Sequence, residues 1–367
     1  MRARCIRALR PGQKIRVLVV DDSVVIRRLV CHALEEDLAV EVVGVAANGR
    51  IALNRIPQLN PDVITLDIEM PDMNGLELLR ELSRRDLGIR VVMFSTMTEH
   101  GALATLEALA LGADDYVTKA SNVGSLDVSL ANLRRELIPK IRQFFQFGGA
   151  GESQQVVPRS CPATPMPRLA TGRASSRPEA VAIGVSTGGP AALAEIVPQF
   201  PANFPLPVFV VQHMPPLFTR FLAERLAGLT QLSVKEAAGG EQPQPGWIYI
   251  APGDFHMRIS STLWGAGIVL DQDPPLNSCR PAVDALFSSL ADAYGGKVVA
   301  AILTGMGQDG LRGAERLRAA GAHILAQDEA SSVVWGMPGA VVGAGAANEV
   351  LPLEAIVPAI LKEVGAA

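Results

Sequence analysis

Short apolar runs rich in β-branched residues alternate with helix-length amphipathic runs, and this alternation occurs twice along the 367 residues. The first series places strands at 15–20, 40–46, 63–66, 91–94 and 115–118, with helical runs such as 24–34, 75–84 and 102–111 between them. The second places strands at 181–185, 207–211, 246–251, 267–270, 298–303 and 322–326. Its helical runs are 191–200, 218–226, 282–293, 310–320 and 353–364. Strands separated by helical crossovers pair in parallel, so each series predicts a doubly wound parallel sheet. Between the series, Pro158, Pro162, Pro165, Pro167 and Pro178 are scattered among Gly, Ser, Thr and Arg with no apolar period. That stretch reads as a linker, and a flexible chain of its length spans roughly 30 Å. The expected division is a tail over 1–14, an α/β domain over 15–147, a linker over 148–179 and a larger α/β domain over 180–367.

Composition narrows the class. Apolar residues make up 49% of the chain, enough for two cores, and aromatic residues only 5%, so the cores are aliphatic. A net charge of −4 argues against nucleic acid as the main partner. Cys5, Cys31, Cys161 and Cys279 form no C-x-x-C pair and read as free thiols in a reducing compartment. Arg2, Arg4, Arg7 and Arg10 resemble the start of a signal peptide, but Pro11-Gly12-Gln13-Lys14 interrupts and no long apolar run follows. A cytoplasmic protein without membrane insertion is expected.

In doubly wound sheets the functional residues collect at the carboxyl ends of strands. In the first series those ends carry Asp21-Asp22, Asp67, Ser95 and Lys119. A single Asp there is usually a solvated cap, but adjacent carboxylates repel unless a hard cation such as Mg²⁺ joins them. A lysine and a hydroxyl facing the cluster suit a phosphoryl group carried on one carboxylate. The runs Val19-Val20-Asp21-Asp22-Ser23, Leu66-Asp67-Ile68-Glu69-Met70-Pro71 and Tyr116-Val117-Thr118-Lys119 resemble a response-regulator receiver domain. The resemblance implies a flavodoxin-like fold, Asp67 as phospho-acceptor and Mg²⁺ among Asp21, Asp22 and Asp67. It also implies Ser95 and Lys119 as phosphate contacts and Tyr116 as the switch aromatic. Receivers usually follow the lysine with proline, whereas Ala120 follows Lys119 here. A non-proline residue predicts a trans Lys119–Ala120 peptide.

In the second series Val181–Val185 runs into Ser186-Thr187-Gly188-Gly189-Pro190, and Gly184 to Gly188 fits the G-x-S-x-G pattern of a strand-turn-helix nucleophile elbow. A glycine-rich turn in which serine only caps the helix fits the stretch equally well. A serine nucleophile needs a base within reach and an acid to orient it. His32 and His100 belong to the first domain, and His323 starts a strand, at the opposite edge from Ser186. His213 directly follows a strand and is favoured by position, with His256 as its rival. For the acid, the strand 298–303 enters a glycine-rich turn that ends at Asp309, whose alternative role is to cap the helix from Gly310. Asp254, Asp271 and Asp273 are weaker candidates on loops.

The order Ser…His…Asp differs from that of α/β-hydrolases. The runs Gly184 to Gly189, Val211-Gln212-His213-Met214-Pro215, Ile250-Ala251-Pro252-Gly253, Arg280 to Phe287, Leu303 to Gly310 and Asp328-Glu329-Ala330-Ser331…Gly336-Met337-Pro338 instead resemble the chemotaxis protein-glutamate methylesterase family, CheB. The resemblance implies a Rossmann-like three-layer α/β/α hydrolase domain with Ser186 as nucleophile, His213 as general base and Asp309 as its orienter. It further implies backbone donors near Thr187 and Met306 as an oxyanion hole, and Arg280 as a cation steering an acidic receptor segment. Cys279 and Ala282 stand where the family often has histidine and serine. The implied activity is phosphorylation-regulated demethylation of glutamate γ-methyl esters in chemoreceptors, with deamidation of glutamines by the same route. The implied partners are chemoreceptor cytoplasmic domains and a histidine kinase, and the hydrolase is expected to need no cofactor. A binding module without turnover is the main alternative. A DNA-binding regulator is disfavoured by the charge and by the lack of a basic helix-turn-helix. Finally, the architecture leads one to expect the receiver to cover the hydrolase's active edge until Asp67 is phosphorylated.

Overall fold

A computed structural model describes residues 7–119, 126–147, 177–262 and 265–366. Its first part runs β1 (Arg7–Leu9), β2 (Ile15–Val20), α1 (Val24–Glu35), β3 (Val40–Ala46), α2 (Gly49–Leu59), β4 (Val63–Asp67) and α3 (Gly75–Arg85). It continues with β5 (Arg90–Ser95), α4 (Glu99–Ala110), β6 (Asp115–Thr118), α5 (Leu126–Arg142) and β7 (Phe145–Phe147). Strands β3-β2-β4-β5-β6 form one parallel sheet in that order. The order reverses between β2 and β4, so Asp21 and Asp67 flank the crevice where such sheets bind ligands. The starts of α1 to α4 are fixed locally by side-chain caps. Asn74, for example, forms a capping box with Glu77 at the head of α3.

The second part begins with β8 (Ala180–Val185), α6 (Gly189–Ile196), β9 (Val208–Gln212), α7 (Phe218–Ala227), β10 (Ser233–Glu236), β11 (Trp247–Ile250), β12 (His256–Thr262) and β13 (Gly265–Asp271). It ends with α8 (Val283–Tyr294), β14 (Val298–Ile302), α9 (Leu311–Ala319), β15 (His323–Gln327), α10 (Met337–Gly343), β16 (Glu349–Leu351) and α11 (Leu353–Val364). The parallel sheet order is β10-β11-β9-β8-β14-β15-β16. Its central strands β8, β9 and β14 are buried along their whole length, which is why they read as unbroken apolar runs. The chain leaves β8 toward β9 on one side and later returns to β14 on the other. Strand order therefore reverses at β8, and the ends of these three neighbours face one crevice. Among the described residues no helix is long and apolar enough to cross a membrane.

Two local expectations change. The strand expected at 267–270 belongs to the antiparallel hairpin β12–β13, which lies outside the parallel sheet. The N-terminal tail is partly built in: β1 pairs in parallel with β7, and Leu9 is 3% exposed. Most of the expected linker lies outside the described residues, as does Ala120 with the Lys119–Ala120 peptide.

Candidate active site

Three strand ends assemble the second domain's polar cluster. Ser186 follows β8, and its backbone N–H donates to Thr304 O beyond β14 at 3.0 Å. Gly188 then takes φ +78°, a left-handed conformation that glycine adopts without strain, and α6 starts at once. Gly305 matters for a different reason. A Cβ there would sit 2.7 Å from the Cβ of Ser186, so only glycine lets the β14 turn pass this close. Gln212, at the end of β9, donates from Nε2 to Ser186 O at 3.0 Å and to His213 O at 3.3 Å, tying the two strand ends together.

His213 Nε2 lies 2.8 Å from Asp309 Oδ2. Asp309 does not cap its own helix, since α9 has Gly310 at its N-cap and no side-chain cap. Instead it accepts from Val283 N at 2.6 Å and Asp284 N at 3.1 Å, the first N–H groups of α8. Burial opposes its charge, yet His213, the Val283 N–H and Asn277 hold its carboxyl below the usual range. Burial likewise works against a charged His213, but Asp309 and Cys279 outweigh it and raise the imidazole to about 10. Cys279 Sγ lies 3.6 Å from Nδ1, the ring nitrogen that Asp309 leaves open. Among the described residues the Ser186 hydroxyl has no hydrogen-bond partner, and neither do the backbone N–H groups of Thr187 and Met306. Ser186, Thr187, His213, Met306 and Asp309 line one cavity of about 840 Å³.

The remaining candidates settle elsewhere. His256 is fully buried, accepting from Ala282 N at 3.2 Å and lying 3.3 Å from Pro274 O, so it holds the loop before α8. His323 heads β15 and pairs with Glu349, and Asp271 pairs with Arg258. Arg280, expected to steer substrate, is committed to Asp254 and to the carbonyls of Gln272 and Asp273. Its charge is offset by Asp254 of the β11–β12 turn, so the side chain ties that turn to the loop ahead of α8. Asn277, which carries no sequence signal, donates to Asp309 Oδ1 at 2.9 Å.

In the first domain the carboxylates of Asp21, Asp22 and Asp67 lie within 4.8 Å of one another. Lys119 Nζ is 2.8 Å from Asp67 Oδ1 and 3.1 Å from Asp21 Oδ2. Burial pushes the Asp67 carboxyl up to about 6 against the pull of Lys119, with Asp21 adding to the rise. Ser95 differs from expectation in this state. Its hydroxyl, 1% exposed, donates to Gly101 O at 3.1 Å and receives Thr105 Oγ1 at 2.6 Å, turned into the head of α4.

The first domain also walls the cavity of the second. Asp115, Tyr116 and Lys140 line it opposite Ser186. Thr187 Oγ1 donates to Asp115 Oδ2 at 2.9 Å, and the Tyr116 ring stacks on Phe218 with centroids 5.0 Å apart.

The family model of the CheB methylesterase matches residues 181–360, and that of the response regulator receiver domain matches residues 17–131. A protein-glutamate methylesterase/protein-glutamine glutaminase of Trichodesmium erythraeum is 46% identical over 96% of this chain and 99% of its own length. One from a Nocardioides species is 48% identical over 96% and 95%. The crystal structure of the Thermotoga maritima CheB methylesterase catalytic domain covers 50% of this chain and 98% of its own, at 45% identity and a TM-score of 0.50.

Proposed function

Since the chain belongs to the CheB methylesterase family and carries a response regulator receiver domain ahead of the catalytic one, we propose that it hydrolyses glutamate γ-methyl esters of chemoreceptors through Ser186. The observation that carries this reading is the convergence of three adjacent strand ends, which brings Ser186, His213 and Asp309 to one cavity. Ser186 Oγ attacks the ester carbonyl while His213 takes its proton, and Asp309 orients the ring and stabilises the imidazolium. The tetrahedral oxyanion draws on the free N–H groups of Thr187 and Met306. His213 then protonates the leaving methoxide, methanol departs and an acyl-Ser186 remains. Water, deprotonated by the same imidazole, cleaves the acyl bond and yields glutamate. With a glutamine side chain the leaving group is ammonia and the route is unchanged.

Regulation runs through Asp67, phosphorylated by a histidine kinase. Three carboxylates at two strand ends are a hard oxygen donor set that fits Mg²⁺. Asp21, Asp22 and Asp67 would hold the ion, which when bound offsets the negative charge gathered around the phosphoryl group. Lys119 already reaches Asp67 and can pair with a phosphoryl oxygen. With Asp115 on Thr187 and Tyr116 on Phe218, the receiver in this state bars a receptor helix from Ser186, and phosphorylation relieves that cover. Receptor cytoplasmic helices as substrate put this activity in the cytoplasm.

A fluorophosphonate probe tests the reading. Labelling of the phosphorylated full chain should map to Ser186 and vanish in His213→Ala, since the hydroxyl needs its base. No adduct, or one unaffected by loss of His213, would leave a binding module as the better account.

A further inference from the structure

Asp309, which faces His213, and its neighbour Asp284 cap helices reciprocally. Asp309, just ahead of α9, accepts from the first N–H groups of α8. Asp284, in the first turn of α8, accepts from Gly313 N of α9 at 2.8 Å. Both are deep in the protein, Asp309 2% and Asp284 6% exposed. Buried carboxylates sharing one network repel. Burial and the charge of Asp309 accordingly push the Asp284 carboxyl up, against the donors from Gly313 and Asn277. One side chain bridges the pair: Asn277 Nδ2 donates to Asp309 Oδ1 and to Asp284 Oδ2, both at 2.9 Å. Both amide hydrogens are thereby used. Asn277 holds φ +50°, a left-handed conformation that asparagine tolerates better than most residues.

We infer that Asn277 is a positioning residue of the hydrolase: by bridging Asp284 and Asp309 it fixes the carboxylate that orients His213. This rests on Ser186, His213 and Asp309 being the hydrolytic set, and it adds a residue on the wall of the same cavity whose two amide hydrogens go to the carboxylates. His213 engages one oxygen of Asp309 and Asn277 the other, so the carboxylate is held against rotation from both ends. Without the amide, Asp309 Oδ1 keeps only the 3.1 Å bond from Asp284 N, and the repulsion between the two carboxylates is no longer bridged. The oxygen facing Nε2 is then held less firmly in place.

Asn277→Gly removes the amide and leaves the left-handed backbone unstrained, whereas Asn277→Asp keeps the shape and exchanges a donor for a third carboxylate. In the full chain with a phosphodonor, methanol release by Asn277→Gly should show kcat lowered about 10- to 100-fold, the loss expected for one hydrogen bond to a charged group. KM should stay within about threefold, because both amide hydrogens are committed to the two carboxylates and leave none for substrate. Asn277→Asp should be slower still, and it carries the test should the glycine variant fail to fold. The downfield proton signal of His213 Nε2–H should shift or broaden in both variants, an effect that a purely structural loop role would not produce. A kcat for Asn277→Gly within about threefold of wild type overturns the inference. If wild-type protein releases no methanol, the hydrolase reading fails instead, and an unmoved His213 signal then overturns the inference separately.

Discussion

Cys279 shows how one side chain can tune a neighbouring imidazole. Its sulfur sits 3.6 Å from His213 Nδ1 and, with Asp309, helps raise the imidazole to about 10. In the proposed mechanism the imidazole must be neutral to accept the Ser186 proton, so hydrolysis should rise with pH through that value. Removing the sulfur lowers the imidazole's proton affinity. The ascending limb of kcat/KM against pH should therefore move to lower pH in Cys279→Ala, with more activity near neutrality. A limb that stays in place, or moves up, would contradict the role assigned to the sulfur. The same raised value makes the imidazolium–carboxylate pair stabilising below the ordinary imidazole range, an effect lost as pH climbs through about 10. Ser186, His213 and Asp309 were each legible in the chain because each follows a run of buried strand residues. Asn277 was not. It sits in a loop without period, and its importance arises only when two helix starts from distant segments converge on it.

At the scale of elements, the turn from β8 into α6 carries Ser186, the proposed nucleophile. Gly188 combines φ +78° with a crowded site, where a Cβ would lie 2.6 Å from Val333 Cγ2. Gly188→Ala should destabilise the protein by at least about 1–2 kcal/mol from the left-handed backbone alone. A urea midpoint indistinguishable from wild type would show that the elbow tolerates a side chain. Both parallel sheets were readable because buried parallel strands form continuous apolar runs between helices. The β12–β13 hairpin was misassigned because its pairing is set by packing on α8, which no local pattern reports. β1 escaped notice since its partner β7 lies at the far end of the same domain.

At the scale of the whole molecule, the receiver reaches Thr187, next to Ser186, through Asp115 and seats Tyr116 on Phe218. Phosphorylation can release this contact only through free energy that differs between the docked and released states. Moving the released fraction from a few per cent to a majority takes about 2–3 kcal/mol. Charge-assisted contacts from Lys119 to a phosphoryl group are of that order. Residues 180–367 alone should therefore outpace the unphosphorylated full chain and ignore phosphodonors. Equal rates for the two would remove occlusion from the account. The central claim, a phosphorylation-gated hydrolase acting through Ser186, meets its most direct test in methanol release from methylated receptor membranes by the full chain. The rate should be low without a phosphodonor, rise with one, stay low in Asp67→Asn and vanish in Ser186→Ala. Methanol release by Ser186→Ala at a rate near wild type would contradict it.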